Sequence, residues 1–184
     1  MSPSRDQHRR PRQPLSKHAL GRLDEALANH QEAHALAVDI GDRSLQAFTL
    51  NYIGNAHRRA GQLVEAMRYH EQAAAVARAI TDPNLNTQLH LDRGATSQAR
   101  GDQHAALAAY QAALDLTTKT GARRQQAHAH HGIAQALHAL GDHDRAAEHW
   151  HTAETEFDQL RQSEANEIRR ERRQLLCTCA CANP

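Results

Sequence analysis

Residues 43–80 read RSLQAFTLNYIGNAHRRAGQLVEAMRYHEQAAAVARAI, and this stretch decides the fold. It contains two segments in which apolar residues recur with helical periodicity, and Gly61 separates them. A glycine that follows a helix can adopt the left-handed conformation that ends the helix without a Cβ clash. We therefore predict two antiparallel helices that are joined at Gly61.

The same pattern returns every 40 residues along the chain. The repeated positions hold glycine (Gly21, Gly61, Gly101, Gly141), alanine (Ala26, Ala66, Ala106, Ala146 and Ala33, Ala73, Ala113, Ala153) and a larger ring side chain (His30, His70, Tyr110, Trp150). The two alanines of a unit share one helix face, where small side chains allow two helices to approach closely, and the ring fills the space beside them. Four evenly spaced copies indicate an elongated stack of repeats, without a single central core.

These signals predict an all-α protein. The expected helices cover about 22–39, 43–60, 62–80, 83–100, 102–119, 122–140 and 142–160, and an eighth, polar and Arg-rich helix covers about 163–176. Asp82 before Pro83 is a strong helix start, because an N-capping side chain precedes a proline in the first turn. The eighth helix suits a C-terminal cap with a solvated outer face.

The predicted organisation has four parts. Residues 1–17 form a basic, disordered tail. Residues 18–160 form the repeat domain, whose units cover about 18–40, 41–80, 81–120 and 121–160. Residues 161–176 form the capping helix, and 177–184 form a disordered tail with Cys177, Cys179 and Cys181. The first unit lacks a leading helix because its place contains three prolines, so we predict self-association through the helix at 22–39.

Composition excludes several classes of protein. The formal net charge is +1, so no global field favours nucleic acid or a membrane surface. No apolar run approaches the ~20 residues of a membrane span, and no signal peptide is recognisable. Three closely spaced cysteines do not make a disulfide framework, which favours the cytoplasm. No catalytic motif is present, so we predict no enzymatic activity and no cofactor.

The residues at these positions resemble the tetratricopeptide repeat family. The second unit carries the resemblance at Leu50, Ile53, Gly54, His57, Gly61, Ala66, His70 and Ala73, and it covers about residues 20–160. The longer period is similar to that of the repeat arms of bacterial, actinobacterial-type regulators. The resemblance implies an α-solenoid of antiparallel helical hairpins, a right-handed superhelix, that binds a protein or peptide in its concave groove.

In the tetratricopeptide repeat family, the first helix of each unit lines that groove. The positions carried over to this chain, and therefore predicted to contact a partner, are Phe48, Asn51, Tyr52, Asn55, Arg58, Arg59, Gln88, Asp92, His128, His131, Gln135 and His138. Asn51 and Asn55 lie one turn apart on one face, and their amides suit a peptide backbone. Arg58 lies one turn further on and can pair with a carboxylate. The second unit is therefore the first choice for the binding site.

Two alternatives remain open. The first alternative is a signal-sensing regulatory arm, stand-alone or truncated, of a transcriptional regulator. A more remote alternative is a metal-binding protein, because His128, His131 and His138 share a face and His30 and His34 lie one turn apart. Zinc requires three or four converging ligands, and no acidic or cysteine partner stands at a matching spacing, so no metal site is predicted. The basic ends of the chain are interpreted as solvated, without direct binding of nucleic acid.

Overall fold

The computed structural model describes residues 17–160 and 163–180, with side-chain surroundings for 22–160 and 163–174. This part of the chain forms eight α-helices and no strand. The helices are α1 (Lys17–Asp39), α2 (Arg43–Arg59), α3 (Leu63–Ala77), α4 (Pro83–Arg100), α5 (Gln103–Thr120), α6 (Arg123–Leu140), α7 (His143–Gln159) and α8 (Glu164–Ala180). The prediction of an all-α protein with seven repeat helices and a C-terminal helix is confirmed.

Consecutive helices pack against each other, and the short connections make neighbours antiparallel. The closest pairs are α2 with α3, α4 with α5, and α6 with α7, which are the hairpins of the three full units. In addition, α2 contacts α4 and α4 contacts α6. The first helices of successive units therefore form one layer of an α-solenoid, and the second helices form the other.

Helix ends follow the expected chemistry. Gly61, Gly101 and Gly141 stand between helices with φ angles of 82°, 87° and 89°, the left-handed region that favours glycine. The side chain of Asp82 accepts hydrogen bonds from the backbone N–H groups of Asn84 and Leu85, immediately around Pro83 at the start of α4. Equivalent aspartate caps begin α2, α5 and α7.

The two terminal helices are longer than predicted. α1 begins at Lys17 and runs through Gly21, so this glycine does not separate two helices as its counterparts do. An interior glycine costs a helix only about 1 kcal/mol, which the continuous hydrogen bonding of a long helix tolerates. α8 continues to Ala180, so residues 177–180 are helical and the predicted disordered tail is wrong there. No glycine or proline interrupts 174–180. The tail predicted over 1–17 lies outside the described residues except for Lys17, and so do 181–184.

Alanine and ring residues build the core, as the repeat pattern predicts. Ala66, Ala106 and Ala146 are fully buried, and so are the alanines seven residues further on. The rings of His70 and Tyr110 lie against glycines of the first helices: a Cβ added at Gly54 would stand 2.7 Å from His70 Cε1, and one added at Gly132 would stand 2.5 Å from Tyr110 Cε1. Glycine at these positions therefore makes room for the ring.

The buried apolar residues form two clusters along the stack. The smaller contains six residues of α2, α3 and α4, with Leu50, Leu85 and Leu89 as its largest members. The larger contains 16 residues from α4 to α8, including Trp150 and Phe157. In α1, by contrast, Ala26 and Ala33 are only half-buried. Apolar packing is thus concentrated in the third and fourth units.

Candidate binding groove

A groove of about 510 Å³ opens between α4 and α6. It is lined by Gln88, Leu91, Asp92 and Ala95 of α4, by Tyr110 of α5, and by Arg124, Gln125, His128, His131, Gly132 and Gln135 of α6. Five of the predicted contact residues line it: Gln88, Asp92, His128, His131 and Gln135. Several lining residues stand 40 positions apart in the chain, so the groove is built from the same helix face of two successive units.

Asp92 forms part of one wall and is held by two amides. Asn51 Nδ2 donates a hydrogen bond to Asp92 Oδ2 over 2.6 Å, and Gln88 Nε2 donates to the same oxygen over 2.9 Å. Asp92 is only 8% exposed. Its carboxylate therefore lies in the wall of the groove and its position is fixed from two helices.

Behind Asp92 lies a buried histidine. His70 Nδ1 lies 2.8 Å from Asn51 Oδ1, and His70 Nε2 lies 3.1 Å from Thr96 Oγ1. Burial lowers the pKa of His70 to about 4, against the opposing charge of Asp92, so the ring is neutral at pH 7. Because Asn51 Oδ1 can only accept, the ring hydrogen is on Nδ1 and Nε2 is an acceptor. The Thr96 hydroxyl, which also lies 3.0 Å from the backbone carbonyl oxygen of Asp92, has one hydrogen to share between that oxygen and Nε2. The network connects α2, α3 and α4.

This network corrects the prediction for Asn51. Its side chain is 1% exposed, and both its amide atoms are bonded within the protein, so it does not offer an amide to a peptide. Position 51 of α2 faces the adjoining helices rather than the open groove. Asn55 is half-buried and accepts hydrogen bonds from Arg58 Nε and Nη2 over 3.4 and 3.3 Å. The asparagine pair of the second unit is thus directed to partners within the chain.

The remaining predicted contact residues lie outside the lining of this groove. Tyr52 stacks on His30 of α1, with ring centroids 5.2 Å apart. Phe48 packs against the smaller apolar cluster, and Arg59 is exposed at the end of α2. His138 contacts the rings of His143 and Trp150 near the end of α6. The cavity is therefore formed by the third and fourth units, and not by the second unit, which was the first choice.

A chain of hydrogen bonds crosses the groove side of the stack. Tyr110 Oη donates to Gln98 Oε1 over 3.0 Å, and Gln98 Nε2 donates to Gln135 Oε1 over 3.1 Å. Gln135 Nε2 then donates to Glu171 Oε1 over 2.6 Å. Each glutamine amide accepts one hydrogen bond and donates another, so all the bonds in this series run in one direction. The series ends at the Glu171 carboxylate of α8.

Glu171 also contacts His131, and the His131 Nε2 atom lies 2.7 Å from Glu171 Oε2. Burial alone would raise the pKa of Glu171, but the hydrogen bond and charge of His131, the hydrogen bond from Gln135 and the charge of His138 together hold the pKa below its usual value. The sequence interpretation did not select Glu171. Its position 40 residues after His131 was the signal that could have found it, because it places α8 as a further first helix of the stack.

Charge in the groove is unevenly distributed. Arg124 stands at the α6 wall, 62% exposed, with Nη2 3.5 Å from Glu164 Oε1. His128 packs edge-on against Phe157, with ring centroids 5.0 Å apart, and burial together with the charge of Arg124 lowers its pKa. The groove thus presents a carboxylate on the α4 wall, a guanidinium on the α6 wall, and amides on both walls.

The predicted histidine groups do not converge. His128 contacts Phe157, His131 contacts Glu171, and His138 contacts His143. Across 17–160 and 163–180, no three His, Cys, Asp or Glu side chains are grouped so that they could hold a metal ion. None of the helices in this same part of the chain combines the length and the hydrophobicity needed to cross a membrane.

Comparison with known proteins supports a family and shows a fold. Residues 15–79 match the family model described as tetratricopeptide repeat. No curated protein matches the chain. Among solved structures, the chain is similar to BtubC (BKLC) from P. vanneervenii, with a TM-score of 0.68 and 16% identity over 79% of this chain and 62% of that one. The similarity thus spans less than two thirds of that neighbour, and at this identity it shows the fold alone.

These comparisons do not confirm the likeness to the repeat arms of actinobacterial regulators, and they lend no support to the alternative of a transcriptional regulator. The structural neighbour is itself a helical repeat protein, in agreement with the α-solenoid described above. The repeat pattern and the match over residues 15–79 support the tetratricopeptide repeat family for this chain, and repeats of this family generally mediate protein–protein interaction.

Proposed function

We propose that this chain is a non-enzymatic protein-binding module, and that the groove between α4 and α6 holds an extended segment of a partner protein. The observation that carries the proposal is the groove itself, a cavity of about 510 Å³ whose walls repeat one helix face. Its size lies within the range of ligand-binding clefts.

The lining suits a peptide chain. Gln88 and Gln125 stand on opposite walls, and an amide can both donate to and accept from a peptide backbone. Gln88 uses one N–H on Asp92, which leaves its second N–H and its carbonyl oxygen for a bound segment. Leu91 and Ala95 supply apolar surface between the polar groups. This combination, a few placed polar groups on a partly apolar surface, is typical of sites that orient a bound segment.

Removal of the two amides tests the groove. Peptides selected from a random display library on the wild-type protein are titrated, by fluorescence anisotropy, against Gln88→Ala/Gln125→Ala. We expect affinity to fall at least about tenfold, because two neutral hydrogen bonds contribute roughly 1–3 kcal/mol together.

The matched control is Gln72→Ala/Gln111→Ala, which removes two exposed glutamines of α3 and α5 outside the groove. It should bind the peptides as the wild type does, and circular dichroism should give the same helix content for all three proteins. Equal binding by the groove variant, or selection of no peptide at all, contradicts the proposed function.

Self-association through the helix at 22–39 stays a prediction. Leu36, Val38 and Ile40 at the end of α1 are 57%, 53% and 70% exposed, which supports an apolar contact there. Cytoplasmic location likewise stays a prediction.

A further inference from the structure

We propose that Asp92 is a subsite for a primary ammonium group, supplied by a lysine side chain of the bound segment. The inference rests on the proposed function, because it names the chemistry that the α4–α6 groove selects. Three properties of Asp92 carry it: its burial, the arrangement of its hydrogen bonds, and its surroundings in the groove.

The first property is an unpaired charge. Asp92 has 8% of its surface exposed and is therefore 92% buried. Buried carboxylates normally form an ion pair with a cationic side chain. Within the described residues no Lys, Arg or His nitrogen lies within ion-pair distance of it. Of the nearby cations, Arg124 pairs with Glu164 and Arg58 donates to the neutral amide of Asn55. Arg93 forms no ion pair with Asp92 either, and its Nε is buried without a hydrogen-bond partner. The described part of the chain therefore leaves the carboxylate without a direct ion pair.

The second property is that the two carboxylate oxygens differ. Asn51 and Gln88 both donate to Oδ2. Oδ1 receives no hydrogen bond from the described part of the chain, and it is not among the buried polar atoms that lack a partner, so it reaches solvent. Because Asp92 lines the cavity, the free acceptor and its charge are available to a group in the groove.

The third property selects the cation. A guanidinium pairs best with both oxygens of a carboxylate at once, and Oδ2 already holds two N–H groups. An ammonium is a compact charge that one oxygen can bind. Leu91 and Ala95 line the same groove and can pack against the methylene stem of a lysine. The site therefore fits lysine better than arginine.

The probe for this subsite is n-butylammonium, which reproduces the end of a lysine side chain. It is titrated into uniformly ¹⁵N-labelled full-length protein, and backbone amide shifts are followed. We expect saturable shifts at Gln88, Asp92 and Gln135, with a dissociation constant on the order of millimolar for so small a ligand. n-Butanol, which has the same stem without the charge, should leave these amides unshifted.

Two variants locate the interaction. Asp92→Asn removes the charge but keeps an oxygen that can accept from Asn51 and Gln88, and we expect the butylammonium affinity to fall at least tenfold. Asp115→Asn makes the same chemical change at an exposed position of α5 and should bind as the wild type does. The comparison of butylammonium with butanol is made in the wild type, so it remains decisive if Asp92→Asn does not fold.

The peptide experiment separates the two proposals. In the selected peptides, replacement of lysine by norleucine should weaken binding to the wild type and not to Asp92→Asn. If butylammonium leaves the groove amides unshifted, or shifts them equally in Asp92→Asn, the subsite is overturned even though peptides bind. If peptides bind without a preference for lysine, the assignment to lysine is overturned. If butylammonium binds at Asp92 and no peptide does, the subsite stands and the proposed function fails.

Discussion

At the scale of the residue, one buried histidine connects three helices. His70 has no exposed surface and contacts Asn51 on one side and Thr96 on the other. Burial lowers its pKa from 6.5 to about 4, and Arg58 and Arg93 act in the same direction while Asp92 opposes them. In the unfolded chain the ring regains its ordinary pKa. Between pH 6.5 and 4 the unfolded chain therefore binds more protons than the folded protein, so stability falls as the pH falls through this window.

His70→Gln should weaken this dependence on pH. In the wild type, protonation of the unfolded His70 costs on the order of 3 kcal/mol of stability between pH 7 and pH 4. The free energy of unfolding, measured in urea at pH 7, 6 and 5, should fall less steeply for the variant. A shallower residual slope is expected, because burial also lowers the pKa of His90, His128, His130, His138 and His149.

The control is His104→Gln, at an exposed position of α5, which should keep the wild-type slope. Slopes are compared rather than absolute stabilities, since any change at His70 also disturbs its packing against Gly54. Equal slopes for His70→Gln and the wild type would show that the buried ring does not govern the acid response.

At the scale of the element, α8 is more than an end cap with a solvated face. Its Glu171 accepts from His131 and Gln135 of α6, and Ala165 and Ile168 are buried in the larger apolar cluster. The helix thus packs against α7 and reaches α6 through Glu171, in the place of a further first helix of the stack. The hydrogen-bond chain from Tyr110 ends on it, so the side-chain positions of α6 depend on α8.

Glu171→Ala should destabilise the protein by about 1–3 kcal/mol, because two donors in a partly buried setting lose a charged acceptor. Thermal and urea unfolding at pH 7 measure the effect. Since the pKa of Glu171 is held below its usual value, its contribution is present above the unfolded pKa of 4.5 and is lost as the pH falls through the folded value. The difference between variant and wild type should therefore shrink in acid.

Glu167→Ala, at an exposed position of the same helix, is the matched control and should change stability by less than about 0.5 kcal/mol. If the two variants were equally stable, α8 would be only a covering helix, and the chain of hydrogen bonds through Gln135 would contribute nothing to the fold.

At the scale of the whole molecule, apolar packing is divided. Six buried residues form the cluster of α2 to α4, whereas 16 form the cluster of α4 to α8. The Asn51–His70–Asp92 network lies where the two regions meet, on helices α2, α3 and α4. In a stack of repeats, stability is approximately a sum over units and their interfaces. The two regions should therefore differ in stability.

We expect the second unit to unfold at lower urea than the third and fourth. Trp150 is the only tryptophan and is fully buried in the larger cluster, so its fluorescence reports the C-terminal region alone. The midpoint of the fluorescence transition should lie at higher urea than that of circular dichroism, which reports all helices. Coincident midpoints would instead indicate one cooperative unit.

A second reporter checks the other region. Tyr69 of α3 packs against the smaller cluster, so Tyr69→Trp/Trp150→Phe moves the fluorescent probe to the second unit. Its transition should precede that of Trp150 in the wild type. The Trp150→Phe change must be tested alone by circular dichroism, because it removes part of a fully buried ring.

The sequence by itself determined the helices, their ends and their core. These features depend on local chemistry repeated at a fixed spacing: an aspartate cap such as Asp82, a left-handed glycine such as Gly101, and alanines such as Ala106 beside the ring of Tyr110. The period of 40 residues predicts these features wherever the residue types recur. The aspartate cap does not recur everywhere, since α3 and α6 begin after Gln62 and Ala122 without a side-chain cap. The predicted bounds of α1 and α8 fell short at the two ends of the stack, where the pattern has no neighbour. Inside the stack, α3 ends at Ala77, before the predicted end at residue 80.

Only the tertiary structure decided which polar side chains face the groove. Asn51 and Asp92 stand at neighbouring positions of the repeat, yet Asn51 is enclosed between helices while Asp92 lines the cavity. Glu171, in a helix interpreted as a cap, proved to complete the network of Gln135. The physical reason is that a side chain's direction is set by its own helix, whereas its surroundings are set by how the helices pack. How the helices pack depends on many residues together, so it cannot be predicted from the spacing of a few residues in the sequence.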